Sequence, residues 1–341
     1  MAVKNYHSYR GKTPRWKVLL GVVLVLVIVA SLAVIRLQAY IVYDETGTPH
    51  LWLPEKEQSE AVVQERPAAG LVVEETPPEE VVTVELLSPE PVLTEEAART
   101  LLAAAGDGEG IILPLKSGEG RIFFRAENAV SGAVQATDET TQAIAAVVTM
   151  APSSAARMSC FLDPRAALMD ARGMALLNRS GYIFYDGSNH CWLDPGKEAA
   201  RDHLCALAAE AAQFGFDTLI LANVGYPTQG ALDKINYGEQ EPEEYLELFL
   251  RQLTESLPSS VELTIEMSAQ GILDGGEGGL SLALAAKYAH RIAAVVTEEA
   301  EIEALAAAVA AADKDAAFVP ILSVRPAEYG GSYIMGEGEL R

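Results

Sequence analysis

Basic residues are scarce in this 341-residue chain, with 25 Lys and Arg against 48 Asp and Glu and a net charge of −23. Five of those cations (Lys4, Arg10, Lys12, Arg15 and Lys17) fall in residues 1–17, which hold no acid, leaving −28 for everything after them. So anionic a body repels phosphate backbones, which argues against nucleic acid as a partner. It argues equally against flat adhesion to an anionic lipid surface. Signature loops are missing too. No GxSxG elbow, Walker loop or HExxH occurs, and "GDGEG" at 106–110 precedes a strand instead of opening a helix. Cysteine is limited to Cys160, Cys191 and Cys205, too few for a disulfide framework. Cys191, His203 and Cys205 lack the spacing of a closed zinc site, so neither metal nor cofactor is expected.

What is present begins with an apolar run. Residues 18–35, "VLLGVVLVLVIVASLAVI", carry no charge and are flanked by Lys17 and Arg36. At about 1.5 Å per residue this just spans a bilayer's hydrocarbon core. The basic tail at 1–17 should stay in the cytoplasm, which puts the rest of the chain in an extracytoplasmic location on the cell membrane. A cleaved signal peptide ending near Ser31-Leu32-Ala33 is the rival reading. Outside the membrane Cys160 and Cys191, both near expected strand ends, are the pair to be oxidised; buried free thiols are the alternative.

Residues 36–54 hold two β-prone runs around Asp44-Glu45-Thr46-Gly47, the pattern of a small hairpin. From 55 to 96 there are 12 acids, two bases and repeated prolines, the composition of an extended acidic linker. Within it, Val81-Val82-Thr83-Val84 has the makings of an edge strand. From 97 to 341 apolar bursts alternate with Ala-rich helical periods. The bursts cover 111–115, 157–162, 218–224, 261–267, 292–296, 318–324 and 332–335. Helix-like stretches cover 198–214, 242–257, 280–290 and 298–312. Strand alternating with helix predicts parallel βαβ units. The fold expected is a (β/α)8 TIM-like barrel behind the membrane helix and linker; seven strands are counted, so one is missed, degenerate or absent. An open doubly wound sheet is the runner-up.

Several phrases in order resemble the "putative glycosyl hydrolase domain" family of bacterial cell-surface proteins, built on a TIM barrel. They are "GIILPLKSGEGRIFF" at 110–124, Arg157 with Phe161-Leu162-Asp163, Trp192-Leu193-Asp194-Pro195, and Gly215-Phe216-Asp217 leading to Pro227. The resemblance covers roughly 108–335 and implies a polysaccharide or peptidoglycan partner. It also implies acids that this chain lacks. Where the family reads Asp-Tyr-Val-Arg-Phe-Pro, residues 222–227 are Ala, Asn, Val, Gly, Tyr and Pro. Pro114 stands for the acid before Lys116, and Ser268 opens the stretch where the family has Asp-x-x-Gly.

Glycoside hydrolysis ordinarily needs two carboxyl groups flanking the scissile bond, placed at the C-terminal strand ends of a barrel. Asp163 and Glu266 are the surviving catalytic candidates. Asp163 before Pro164 also suits a helix cap, as does Asp194 before Pro195. Glu266 also suits an ion pair with Lys116 or Arg157, the two strand cations that need carboxylate partners or an opening to solvent. Lys116, Arg157, Trp192, Asp194, Asn223 and Tyr226 are the candidate substrate-binding residues. Trp192, Tyr226, Tyr182 and Tyr185 offer stacking faces, or else seal the core. The sequence favours a membrane-anchored glycan-binding barrel with degenerate acids. The alternatives are an active glycosidase using Asp163 and Glu266, and a non-catalytic protein-interaction module.

Overall fold

The computed structural model describes residues 41–43, 49–51 and 82–336. The chain divides into two compact units, 1–75 and 76–341. In the first, β1 (Ile41–Tyr43) pairs antiparallel with β2 (Pro49–Leu51). The apolar run at 18–35 and the linker up to 81 lie outside the described residues. Among the described residues no helix is long and apolar enough to cross a membrane.

The second unit is a closed barrel of parallel strands. Its staves in chain order are β3 (Val84–Leu87), β4 (Gly110–Lys116), β5 (Ser154–Ser159), β6 (Thr218–Ala222) and β7 (Glu262–Glu266), then β10 (Arg291–Val295), β11 (Ala317–Leu322) and β12 (Tyr333–Met335). Each pairs with its neighbour in sequence, and β12 closes the ring on β3. The barrel is therefore complete. Its missing stave was hidden in the acidic segment: β3 sits between β4 and β12 and is not an edge, so the barrel starts well before 97. Glu85 masks this strand's pattern because it points inward, where Arg291 Nη1 meets its carboxylate at 2.7 Å.

Around the ring lie α1 (Glu95–Ala104), α2 (Asp138–Met150), α3 (Pro164–Met169), α4 (Glu198–Ala212), α5 (Pro242–Ser256), α6 (Ala269–Leu273), α7 (Leu282–Tyr288) and α8 (Ile302–Ala312). Their sequences explain them. In α5, Pro242 occupies the first turn, Glu243 and Glu244 face the positive end of the helix dipole, and Leu246, Phe249, Leu250 and Leu253 recur at helical spacing and are buried. β11 reaches β12 through residues 323–332 without a helix.

Two apolar layers result. Leu87, Ile112, Ala155, Ile220, Ala293, Val319, Ile321 and Ile334 form a small cluster of their own, the plug inside the barrel. The larger cluster fills the space between barrel and helices. Strand side chains alternate faces, so Ala155 inside puts Arg157 and Ser159 inside and above it. The same parity carries Ile220 to Ala222. β5 ends at Ser159, three residues before the sequence pattern suggests, because Cys160 to Leu162 already turn toward α3.

Buried charge ties β4 to that turn. Lys116 Nζ lies 2.9 Å from Asp163 Oδ2, with both side chains essentially inaccessible, and it also donates to the Ser159 carbonyl at 2.7 Å. The other Asp163 oxygen accepts the Ala166 N–H at 2.9 Å and caps α3. His203 of α4 approaches the same carboxylate at 3.9 Å, its side chain 7% exposed. Burial pushes the His203 imidazole down, against the pull of Asp163. All three cysteines are free and buried, so the Cys160–Cys191 disulfide does not form. Cys191 Sγ is turned to the Pro164 carbonyl, 3.7 Å away, and burial pushes the Cys160 thiol up to about 12.

Two stability outcomes follow. Lys116→Met leaves Asp163 buried without its cation and should cost about 3–5 kcal/mol in denaturant unfolding. For His203 the folded state holds its proton less tightly than the unfolded chain does. That contribution to stability is complete above about pH 6.5 and is lost as the pH falls below it. His203→Gln should therefore reduce the fall in melting temperature between neutral and mildly acidic pH.

Candidate functional site

The C-terminal ends of β4 to β7 open into a cavity of about 680 Å³. Its wall comes from strand ends and from two insertions. Lys116, Arg157, Ser159, Ala222 and Glu266 contribute from the strands, followed by Asn223 to Tyr226 beyond β6 and by Met267 and Ser268 beyond β7. This is the face where barrel loops assemble binding sites. Ala222 and Ser268, the positions where the family pattern carries acids, both line it.

Arg157 and Glu266 form the strongest polar contact in the cavity. Arg157 Nε lies 2.5 Å from Glu266 Oε1 and Nη2 lies 2.6 Å from Oε2, a two-point clasp with both side chains about 11–12% exposed. Glu266 thus finds an Arg157 partner, one of the two cations its position suggested. Lys116 reaches the lining, whereas its partner Asp163 stays beneath it, capping α3, and is not part of the wall. The structure therefore brings Glu266 to the cavity and does not bring Asp163 with it. Asp194 is also off the lining. Its Oδ1 accepts the Gly196 N–H at 2.9 Å in the turn before α4, and burial pushes its carboxyl up.

The segment between α3 and α4 forms one wall. Asp186 organises it: Oδ1 accepts the N–H groups of Ser188 (2.8 Å) and His190 (2.9 Å), and Oδ2 accepts Trp192 Nε1 at 2.9 Å. Ser188, His190 and Trp192 are thereby set on the cavity. Tyr182 and Tyr185 stand away from it, 73% and 46% exposed. Asn223 lies in the left-handed region at φ 55°, which Asn tolerates better than most residues, and its amide donates to Ser159 Oγ at 3.0 Å. Tyr226 is 3% exposed, packs edge-on to Tyr237 with centroids 5.0 Å apart, and lines the cavity while its buried hydroxyl has no hydrogen-bond partner among the described residues. Burial pushes that phenol up.

The opposite wall is a hairpin after α6, β8 (Gly276–Glu277) with β9 (Leu280–Ser281). It docks backbone to backbone: Tyr226 N–H donates to the Gly278 carbonyl at 2.7 Å. Glycine is required on both sides. A Cβ on Gly225 would sit 2.8 Å from Gly278 O, and one on Gly278 (φ 55°) would collide with Tyr226 O. The Arg of the family pattern thus has no room at 225. Docking delivers Glu277 to the cavity beside Ser268, whose N–H and Oγ donate to its two oxygens at 2.6 and 2.5 Å. Ser268 Oγ accepts the Gly271 N–H and caps α6. Neither Asp186 nor Glu277 stands out in the sequence. Glu277 is marked by its glycine surroundings, "DGGEGGL" at 274–280, which read as a plain turn. Among the described residues no cluster of His, Cys, Asp and Glu could hold a metal ion.

Comparison with known proteins adds to this geometry. No curated protein sequence matches the chain significantly. Solved structures similar to it include a hypothetical protein from Ruminiclostridium thermocellum, 21% identical with a TM-score of 0.46, over 54% of this chain and 96% of that one. The glycoside hydrolase domain of PelA from Pseudomonas aeruginosa is 14% identical with a TM-score of 0.41, over 72% of this chain and 85% of that one. An α-galactosidase from Thermus thermophilus is 16% identical with a TM-score of 0.42, over 66% and 47%. The family described as "Putative glycosyl hydrolase domain" matches residues 95–273, more than half of the chain. The chain belongs to that family.

Proposed function

We propose that this protein is a membrane-anchored domain that binds cell-wall or extracellular polysaccharide at its barrel mouth without cutting it. Residues 18–35 are the anchor in this reading, and their basic flank at 1–17 puts the barrel outside the cytoplasm. One observation carries the binding half: a cavity of about 680 Å³ of mixed polar and apolar lining, with Trp192 in its wall and several fixed hydrogen-bonding groups, at the face where barrels take their ligands. The same lining supports the loss of cleavage. β6 meets the cavity with Ala222, and Glu266 has both oxygens clasped by Arg157. To protonate a leaving group or attack an anomeric carbon, Glu266 would first have to break that clasp.

A second reading is favoured by one specific feature, that Glu266 and Glu277 line a single cavity. They would be the carboxylate pair of an active glycosidase, in place of the Asp163 and Glu266 pair read from the sequence.

Incubating the full-length protein with peptidoglycan, insoluble α-glucan and insoluble β-glucan separates these readings. Retention on at least one polymer with no new reducing ends is expected. Trp192→Ala should weaken that retention about tenfold or more, by removing the indole from the cavity wall and with it the donor that Asp186 Oδ2 accepts. Reducing ends that appear with the wild type and vanish with Glu266→Gln would establish the hydrolase instead.

A further inference from the structure

The charges around the cavity cancel in pairs, with one exception. Lys116 is matched by Asp163, Arg157 by Glu266, and Glu119 by Arg121 at 2.8 Å. Glu277 has Ser268 as its donor and, among the described residues, no cation within ion-pair distance. His190 stands nearest to an acid of its own wall, Asp186 at 3.9 Å. Among the described residues the mouth therefore presents one carboxylate with no cation paired to it, in a chain already at −23. A carboxylate has about four lone-pair positions. Ser268 uses one on each Glu277 oxygen, so each oxygen keeps a position for a donor brought by a ligand.

The way Glu277 is held supports such a role. A surface glutamate rotates freely, whereas this one is fixed at its carboxylate by two short hydrogen bonds and at its backbone by the docked hairpin. Fixed acceptors of this kind suit the vicinal hydroxyl groups of a pyranose, and they repel a carboxylated sugar at the same distance. Resting on the reading of the mouth as a glycan site, we propose that Glu277 is its specificity-determining residue: it accepts hydroxyl donors from a neutral sugar and excludes acidic ones.

The test titrates full-length protein with two neutral hexasaccharides, cellohexaose and maltohexaose, and with hexagalacturonate as the acidic probe. The wild type should bind a neutral probe at least tenfold more tightly than the acidic one. Glu277→Gln should weaken neutral binding about tenfold or more and shrink the neutral-to-acidic gap. Ser268→Ala keeps the charge while removing one of its donors, so rejection of the acidic probe should persist. Glu277→Gln with neutral affinity within twofold of wild type overturns the proposal, as does Ser268→Ala accepting both kinds of sugar equally. Preference of the wild type for hexagalacturonate also overturns it but leaves the mouth a glycan site. A wild type that binds none of the three overturns this inference, and the glycan reading itself is then decided by retention on the three polymers.

Discussion

Arg157 and Glu266 meet across the top of the apolar plug, where the guanidinium holds both oxygens of the half-buried carboxylate. Their pairing joins β5 to β7 across the barrel interior, roofs the small cluster of apolar side chains beneath it and forms part of the cavity's wall. Strand parity leaves little freedom here: with Ala155 in the plug, Arg157 must rise from it, and with Thr264 inside, Glu266 must follow. A guanidinium matched to a carboxylate in two-point geometry holds its partner in one orientation. That orientation suits an acceptor presented to a ligand better than a group that must gain and lose a proton in each turnover.

Much of the barrel was legible in the chain. Strands flanked by apolar side chains on both faces leave unbroken apolar runs, and amphipathic helices such as α5 leave a spaced stripe, so each kind of element marked itself. β3 was legible only as an edge strand at 81–84, and its place inside the ring was not, because its burial depends on a partner far away in sequence. Glu85 looks like one more linker acid until Arg291, 206 residues later, is placed beside it. Local composition carries no trace of such a pairing.

The site divides along the same line. Lys116, Arg157, Glu266, Trp192, Asn223 and Tyr226 reach the cavity, since all lie at strand ends or in loops that strand order places at the mouth. Asp163 and Asp194 do not, and both make turn or cap hydrogen bonds of the sort their following prolines suggest. Glu277 could not be read from the sequence, because it arrives on a hairpin whose docking rests on two glycines fitting against a distant loop. Where the family pattern has an arginine at 225, this chain has a backbone contact, and the hairpin seated on that contact brings a carboxylate back to the rim beside Ser268.

The central claim is that this mouth holds a glycan and leaves it whole. Incubation of the full-length protein with a polymer it retains, in ¹⁸O-labelled water, followed by mass spectrometry of the sugars, tests it most directly. The account predicts chains of unchanged length with no label at their reducing ends. Shortened chains carrying ¹⁸O at the new ends, formed by the wild type and not by Glu266→Gln, would contradict it.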